Sequence, residues 1–528
     1  MFSTRPYRPI STAWKPPYEN SCVGRGSGYR MNHTGIAAAD QTKLTIHFAM
    51  TRVKFGATQS IFGVAAGGKT FFCSLQSDDT LFVGGGGGDI GGKWISTRKF
   101  RDVHAYPVTI QYDAGNATAE DRLKVFIGRA QETEFNTGNH AVVTLNNTNP
   151  MMFSGANNYW FSASGGGFPF EGLLHNVHFM PGQIVSPSEF LEDVSKVGRD
   201  IEAIKKSSSL SYAEGGFHCT FGNSGNLGEN SEGVTDLTVA GMTSDDQIIS
   251  VPGDPFPVMN ALNTQSTNII SNGGLTSTYS GGSVTSSGMV TMPFPQTGAW
   301  YYEHTCDIVG GDFRVGIAPP QAMSKSGVNI IPGSAAGQFT YRHTGVKDLN
   351  NVQSAYGASY SAGHTIGILY DGDAGTIEFF DDTGASQGVI SGLSGEYAAI
   401  WNTYVGGKAT LNFGQRSFKH MQPAGSNVLR ASNLPTPSAP ADPDTGSFTG
   451  NAATDGSYVH LGYAPSYDDA LTINGNAVTW GTHADPTASG FKLRASSSSY
   501  NSSGTNTYSL VTANAEYGGG DAPYPLAK

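Results

Sequence analysis

The sequence has few charged residues, few cysteines and no long apolar run. Asp, Glu, Lys and Arg make up 14% of its 528 residues, whereas about 25% is typical of globular proteins. Solvated helices carry such side chains on their outer faces, so this shortage disfavours a largely helical protein. No stretch approaches the roughly 20 apolar residues that span a bilayer, and the first residues contain no apolar core of a secretory signal. The sequence therefore predicts no membrane insertion.

Clusters of basic residues are also missing. The formal net charge is −11, with no block of Lys and Arg, which argues against nucleic acid as a partner. The four cysteines lie far apart and form no CxxC motif; they are Cys22, Cys73, Cys219 and Cys306. We interpret them as free, buried thiols of a chain that folds in a reducing cytosol. A disulfide set or a zinc site is the alternative.

Apolar residues at every second position are what the sequence has instead. In one such stretch Leu44, Ile46, Phe48 and Met50 share one face of an extended strand. The chain has 70 glycines. Similar short stretches recur between glycine-rich turns. Because one face of each stretch is apolar, the pattern predicts an all-β protein built from antiparallel β-sandwiches.

Breaks in this alternation divide the chain into segments. Closely spaced prolines after the second strand-rich block mark a boundary between domains. The predicted segments are an extended N-terminal arm at 1–27, a sandwich at 28–258, a linker or crossing strand at 259–275, a second sandwich at 276–432, a Pro-rich linker at 433–446 and a small β-rich C-terminal module at 447–528.

One helix is predicted, at the surface of the first sandwich. Ser186 suits an N-cap, Pro187 suits the first helical position and Glu189 suits a capping box. These residues predict a short helix over 187–193.

The N-terminal arm is rich in proline and aromatic residues. Prolines at this density prevent both a helix and a central strand. The aromatic side chains suggest that the arm docks, either on its own chain or on a partner. The candidates for anchoring the chain to a larger particle are Arg5, Tyr7, Arg8, Trp14 and Tyr18.

The second block resembles the SPRY domain family, a bent β-sandwich used for binding. The matching stretches are GAWYYEHT at 298–305, FRVGIA at 313–318, YGASYSAGHTIGILYDGDAGTIEFFDDTG at 356–384 and LNFGQRSF at 411–418. His364 departs from the family, which usually has Asp before this strand. The DGDAG text at 371–375 also predicts a hairpin turn from its residues alone.

The first block resembles a concanavalin A-like domain of the laminin-G type. The stretches concerned are QSDDTLFV at 76–83, YPVTIQYDAGNATAEDRLKVFIG at 106–128 and FEGLLHNVHFMPGQIVSPSEF at 170–190. The C-terminal stretch FTGNAATDGSYVHLGYAP at 448–465 is similar to a tail found in the same proteins. This order of modules resembles tail-fibre and virion-surface proteins of tailed bacteriophages.

That resemblance implies a role, a place and partners. We expect a virion protein that is made in the host cytoplasm and assembled on the particle surface or tail. Its implied partners are other virion proteins and a glycan or protein of the host cell surface. By analogy with phage fibres we expect a homo-oligomer, with a trimer favoured.

A concanavalin A-like sandwich can also be a glycanase, which needs two carboxyl groups about 5–9.5 Å apart. The closest pairs are Glu132 with Glu134 and Asp371 with Asp373, and neither has a third carboxylate next on the same face. Glu303 and Asp307 would lie roughly 13 Å apart on a strand, which is too far. We therefore predict no catalytic residues and no enzymatic activity.

Metal and cofactor sites have little support in the sequence. His175 and His178 are three residues apart, and on a strand such side chains face opposite ways. Calcium is possible in an oxygen-rich loop such as 113–121, without a specific motif. The glycine run at 84–92 lacks the residues of a phosphate loop. No cofactor and no bound metal are predicted.

Two groups of residues are candidates for ligand binding. The SPRY resemblance implies a ligand at loops of one edge, within 318–350, where the candidates are Tyr341, Arg342 and His343. The C-terminal module offers flat aromatic rings beside amides and hydroxyls, which suit sugars. Its candidates are Tyr458, His460, Tyr463 and Trp480; the alternative is that they pack between sheets.

The function that these expectations favour is a tail-fibre or receptor-binding subunit that recognises the host surface through β-sandwich loops. A purely structural capsid decoration or tail connector is the first alternative. A glycan depolymerase is the second.

Overall fold

The fold is described here from a computed structural model. The described residues are 18–85, 92–101, 105–136, 140–193, 202–204, 210–233, 235–265, 267–282, 286–320, 332–435, 471–473, 476–478, 491–495 and 508–512. The chain divides into two units, Met1–Thr436 and Pro437–Lys528. In the second unit, the described residues form two hairpins, β33 (Leu471–Ile473) with β34 (Asn476–Val478), and β35 (Phe491–Ala495) with β36 (Tyr508–Thr512).

The first unit contains two β-sandwiches, so the predicted all-β fold is confirmed. The strands of the first sandwich are β1 (Asn20–Arg25), β2 (Arg30–Thr34), β3 (Lys43–Arg52), β4 (Gln59–Ala66), β5 (Lys69–Leu75), β6 (Thr80–Gly84), β7 (Lys93–Lys99), β8 (Ala105–Asp113), β9 (Leu123–Ile127), β10 (Ala130–Gln131), β11 (Asn157–Trp160), β12 (Glu171–Pro181), β15 (Phe217–Cys219), β16 (Thr238–Ala240) and β17 (Gln247–Ile249), with a separate ribbon of β13 (Leu191–Asp193) and β14 (Glu202–Ile204). Short 3₁₀ turns lie at Ala119–Arg122, Pro150–Met152, Ser164–Gly166, Pro187–Glu189 and Ser244–Asp246.

Two antiparallel sheets enclose the first core. One has the order β10-β9-β8-β3-β12-β1-β17, with β15 beside β12, and the other has the order β16-β2-β11-β4-β5-β6-β7. Leu44, Ile46, Phe48 and Met50 all point into the core, as their spacing predicts. The rest of β3 is buried as well, because the outer face of this sheet is also covered.

A strap, residues 183–193 and 210–214, covers that outer face. Thr45 Oγ1 donates to the Gln183 carbonyl and accepts from the Val185 amide, each at 2.9 Å. Phe190 and Leu191 are buried against Ala49 and Met180 of the sheet. The predicted helix over 187–193 is therefore wrong. Only a 3₁₀ turn forms, since the strap extends from Leu191 as a strand with its apolar side chains on the sheet.

Four buried histidines lie on this outer face: His47, His175, His178 and His218, here called the histidine layer. The rings of His178 and His218 stack with centroids 4.0 Å apart, and the His47 ring lies parallel to that of Phe190 at 4.4 Å. Burial lowers the pKa of His47 to about 3 and that of His175 to about 4. These two rings are therefore neutral at pH 7.

A β-bulge sets the direction of two of these histidines. His175 is opposite Ala49 and His178 is opposite His47, so three steps along β12 match two along β3. Asn176, within the bulge, has a φ of 51°. The expectation that His175 and His178 face opposite ways is wrong, because the extra residue brings both to the face that carries His47.

The second sandwich also consists of two sheets. Its strands are β18 (Met259–Thr264), β19 (Asn268–Ser271), β20 (Thr276–Tyr279), β21 (Ser286–Val290), β22 (Ala299–Ile308), β23 (Arg314–Ala318), β24 (Phe339–Arg342), β25 (Val346–Leu349), β26 (Val352–Ala355), β27 (Thr365–Asp371), β28 (Thr376–Phe380), β29 (Ser386–Ser391), β30 (Ala398–Thr403), β31 (Lys408–Asn412) and β32 (Asn427–Val428), with 3₁₀ turns at Asn272–Gly274 and Ala431–Asn433.

The sheet orders are β18-β21-β30-β23-β24-β25-β26 and β19-β20-β31-β22-β27-β28-β29, with β32 parallel to β22. The predicted hairpin at 371–375 joins β27 to β28, as its residues indicate. The segment 259–275 is not a free linker: β18 and β19 are the first strands of the two sheets. The second sandwich therefore begins at Met259.

An apolar junction joins the two sandwiches. Val23 and Leu173 of the first contact Val258 and Leu275, with Ile248 completing the buried cluster. Such a cluster resists bending between the sandwiches, because bending would expose it to water.

The predicted N-terminal arm at 1–27 is wrong in its described part, which begins at residue 18. Residues 20–25 form β1, which pairs with β12 on one side and β17 on the other. Tyr18 lies against the His218 ring, with centroids 5.0 Å apart, so it docks on its own chain. The strand was missed because it is only six residues long and follows proline-rich text. Arg5, Tyr7, Arg8 and Trp14 lie outside the described residues.

The four cysteines are all buried and unpaired, as predicted. In the described part of the chain, no helix has the length and apolarity to cross a bilayer.

Candidate functional site

A cluster of opposite charges lies on the outer face of the second sandwich, across β23, β24 and β25. Arg314 of β23 is directly opposite Arg342 of β24, so two cations share one face. Asp312 and Asp348 lie beside them and balance the charge. These four residues are called the arginine cluster below.

Ion pairs connect all four side chains. Arg314 pairs with Asp312 at 3.1 Å and with Asp348 at 2.9 Å, and its Nη1 also donates to the Pro332 carbonyl at 2.9 Å. Arg342 Nε lies 2.8 Å from Asp312. Asp312 therefore bridges the two guanidinium groups and holds them side by side.

Burial differs within the arginine cluster. The side chains of Arg314 and Asp348 are 7% and 2% exposed, whereas that of Arg342 is 26% exposed. Burial raises the pKa of Asp348, although Arg314 and Arg342 act in the opposite direction. The inner pair is therefore structural, and Arg342 is the member that water and ligands reach.

Arg342 has hydrogen-bond donors that are not engaged. Its Nε lies 2.8 Å from Asp312, and its two terminal nitrogens donate no hydrogen bond to another described residue. A guanidinium held by one carboxylate and open at its fork can bind a carboxylate, a phosphate or a pair of hydroxyls.

His343 lies next to Arg342 and is fixed by the backbone. Its amide donates to the Phe313 carbonyl at 2.9 Å, and its Nδ1 accepts from the Phe313 amide at 3.2 Å. Burial lowers its pKa, an effect that Asp312 opposes. The ring is half-buried and can add one polar contact beside Arg342.

Tyr341 does not belong to this site. It is fully buried, and its hydroxyl donates to the Ala358 carbonyl. Its ring packs against Tyr360 and Phe379 inside the sandwich, at 5.1 and 5.5 Å. Because residues alternate along β24, Tyr341 faces the core and Arg342 faces outward. Naming Tyr341 as a ligand contact was therefore wrong.

The carboxylates considered for catalysis have structural contacts. Glu303 is 3% exposed and accepts from the amides of Lys419 and His420, both at 2.8 Å. Asp371 accepts from the amides of Asp373 and Ala374 within the turn, at 3.0 and 2.9 Å.

The other candidates are similarly engaged. Asp373 accepts from the Gly298 amide at 3.0 Å, Asp307 accepts from Thr410 Oγ1 at 2.7 Å, and Glu132 pairs with Arg98 at 2.8 Å. These contacts explain the carboxylates as parts of the fold.

The loop 113–121 uses its oxygen atoms internally. The Asn116 amide donates to the Asp113 carbonyl, and the Thr118 amide to Asn116 Oδ1, both at 3.0 Å. No group of three or more His, Cys, Asp or Glu side chains within the described ranges is placed to hold a metal ion. Calcium binding at this loop stays a prediction without structural support.

The structure does not describe four of the predicted binding residues, and three members of the arginine cluster were not predicted. Tyr458, His460, Tyr463 and Trp480 lie outside the described residues. Asp312, Arg314 and Asp348 were missed because they sit in strand-like text. The sequence does contain one sign of this cluster, which is Arg314 within the apolar strand FRVGIA. A charged residue in such a strand needs a partner when it is buried.

Comparison with known proteins identifies part of the chain. Residues 299–416 match the SPRY domain family. Similar solved structures include the SPRY domain of human HERC1, 16% identical, covering 30% of this chain and 99% of that chain with a TM-score of 0.26. Another human SPRY domain is 17% identical, covering 29% and 98%, with a TM-score of 0.25. No curated protein matches the sequence. Residues 299–416, which span β22 to β31, are thus a SPRY domain.

Proposed function

We propose that this protein recognises a host surface without catalysis, as a tail-fibre or receptor-binding subunit of a tailed bacteriophage. The observation that carries the proposal is Arg342. It presents two uncommitted terminal nitrogens on a SPRY domain, and its ion pair with Asp312 fixes its position.

The order of modules supports the placement on a virion. The chain has a block at 28–258 that resembles a laminin-G-type domain, then the SPRY domain, then a glycine- and tyrosine-rich tail, and this order resembles that of phage fibre proteins. The partners in this proposal are other virion proteins and a host glycan or protein. In this proposal the assembled protein is part of the phage particle.

Rigidity favours recognition by this surface. Arg342 is already ordered by Asp312, so a ligand does not have to immobilise a free side chain. A single exposed arginine gives weak binding. Several copies of the chain on one fibre raise the overall affinity, because the first contact holds the other copies at a high effective concentration near the surface. We therefore propose a homo-oligomer, most simply a trimer, which a native mass of three chains would demonstrate.

Competition for adsorption tests the proposal. Bacteria that the particle infects are incubated with purified full-length protein before phage is added, and unadsorbed phage is counted. The wild-type protein is expected to block adsorption. Arg342→Ala is expected to block it at least about tenfold less well, since a charge-assisted contact is worth roughly 1.5–3 kcal/mol.

Arg98→Ala is the matched control. Arg98 is also an exposed arginine whose Nε lies 2.8 Å from a carboxylate, that of Glu132, but it belongs to the first sandwich. It is expected to block like wild type. Failure of the wild-type protein to block adsorption would favour a decoration or connector role, and equal loss in both variants would exclude Arg342 as a specific contact.

A further inference from the structure

An open depression of about 380 Å³ lies on the first sandwich, between the end of β4 and the start of β11. Its walls include the aromatic rings of Phe153 and Tyr159 and the side chains of Ser154 and Asn157. The turn at Gly67 closes one side. The depression belongs to a different domain from the arginine cluster, and no sequence motif indicated it.

The wall at 153–157 is rigid. Gly35 brackets it through two backbone hydrogen bonds, donating to the Ala156 carbonyl at 2.7 Å and accepting from the Gly155 amide at 2.9 Å. Met151 and Met152, just before it, are fully buried and anchor it in the core. A ligand would therefore meet a wall that is already formed.

The opposite side is a tight turn shaped to the Phe153 ring. Gly67 and Gly68 connect β4 to β5 with φ values of 59° and 73°, which suit a type I′ hairpin. A Cβ on Gly67 would come within 2.7 Å of the Phe153 ring. Glycine is therefore required twice here, by its φ and by the close approach of the ring.

Lys69, a cation next to this wall, is engaged by other groups. Lys69 Nζ lies 5.6 Å from the centre of the Phe153 ring and donates to Thr148 Oγ1 at 2.8 Å and to Asn147 Oδ1 at 2.5 Å. No residue that lines the depression carries a charge. The site therefore does not favour an anion such as phosphate.

Three polar groups of the lining are uncommitted. Among the described residues, the Ser154 hydroxyl, the Asn157 amide and the Tyr159 hydroxyl have no hydrogen-bond partner. They line the same depression as two half-buried aromatic residues, Phe153 and Tyr159.

We propose that this depression binds one neutral pyranose unit of a glycan, a hexose or an N-acetylhexosamine. A pyranose has an apolar C–H face, which can lie on an aromatic ring, and a rim of hydroxyls, which can pair with an amide and two hydroxyl groups. The volume suits one or two sugar rings and the lack of charge suits a neutral one. This is a second binding surface, independent of the arginine cluster.

Saturation-transfer difference NMR on the full chain tests this site directly. The probes are D-glucose, D-galactose, D-mannose and N-acetyl-D-glucosamine at millimolar concentration, with D-glucuronic acid as the charged comparison. At least one neutral sugar is expected to bind. Tyr159→Ala is expected to weaken that binding roughly tenfold, the loss of one aromatic contact.

Two further variants make the result interpretable. Asn157→Ala changes an exposed side chain, so it leaves the fold intact and is expected to weaken binding several-fold. Tyr29→Ala removes a half-buried tyrosine that does not line the depression, and it is expected to bind like wild type. Absence of binding by every neutral sugar, unchanged binding in both site variants, or tighter binding of glucuronic acid would each overturn the proposal. Adsorption competition by the arginine cluster would be unaffected by any of these outcomes.

Discussion

The two sandwiches cover polar side chains on their outer faces with opposite chemistries. The first buries the histidine layer, and burial lowers the pKa of three of its rings, those of His47, His175 and His178. The second buries paired charges, the inner members of the arginine cluster. A neutral histidine costs little to bury until it is protonated, whereas a buried arginine depends on its carboxylates at every pH. The stability of the first face is therefore expected to depend on pH, and that of the second on the carboxylates that pair with its arginine.

The two groups also differ in their hydrogen bonding. Nε2 of His47, His175 and His178 has no hydrogen-bond partner within the described structure, so a proton added there has no acceptor. In the arginine cluster, by contrast, Arg314 contacts two carboxylates and a carbonyl. A buried charge with such partners is tolerated, and an unpartnered one is not.

Acid is expected to have the largest effect, and on the first sandwich. Burial lowers the folded-state pKa of His33, His47 and His175 to about 4, 3 and 4, and lowers that of His178. The unfolded value is about 6.5. The unfolded chain therefore binds more protons between about pH 6.5 and pH 4, so stability falls as the pH is lowered through this window, by at most about 1.4 kcal/mol per pH unit for each histidine.

Hydrogen exchange at about pH 7 and about pH 5, corrected for the intrinsic rate, measures this locally. Protection in β3 and β12 is expected to fall more than in β22 and β27, because His304 is the one fully buried histidine in the described part of the second sandwich. His33→Phe removes one proton-binding group and is expected to reduce the difference. Equal loss of protection in both sandwiches would contradict the contrast.

Removal of Arg314 is expected to have the next largest effect, on the second sandwich. Arg314→Ala leaves Asp348, 2% exposed, without its cation, which costs about 3–5 kcal/mol for a broken buried pair. Lys419→Ala is the control, since it breaks a pair with Asp382 in which the lysine is 46% exposed, worth about 1 kcal/mol or less. Urea unfolding followed by aromatic fluorescence compares the two, and similar midpoints would show that Arg314 is not needed.

The junction between the sandwiches is expected to give the smallest of these effects. Val258→Ala removes two buried methyl groups from the cluster with Leu173 and Leu275, at a cost of about 2 kcal/mol. Val352→Ala is the control, because Val352 is 64% exposed on β26 and is expected to change stability by at most about 0.5 kcal/mol. If proteolysis between residues 250 and 258 is not faster in Val258→Ala than in the control, the junction does not hold the sandwiches together.

Much of the fold follows from local pattern. The alternation in β3, the turn between β27 and β28 and the run of SPRY stretches all predict what forms, because each depends on neighbours in sequence. The strand β1, the bulge at Asn176 and the strap depend on distant partners. Their short or irregular text carries no period, so the arm, the directions of His175 and His178 and the helix over 187–193 were predicted incorrectly.

The candidate site divides in the same way. Arg342 was predicted from its position between resembling stretches, but alternation along β24 turns Tyr341 into the core. Asp312 lies two residues before Arg314 and pairs with it locally, whereas Asp348 comes from β25 and meets Arg314 of β23 only after the sheet forms. Tertiary pairing of this kind leaves no spacing in the sequence to detect.

The central claim is that the protein binds a glycan and does not cleave it. Measuring binding and cleavage in one sample tests this claim most directly. Surface polysaccharide from bacteria to which the full chain adsorbs is incubated with the protein, and bound protein and new reducing ends are measured together. We expect saturable binding with no increase in reducing ends over buffer. A rise in reducing ends that depends on the protein, and that Glu132→Gln abolishes, would contradict a recognition role and establish a depolymerase.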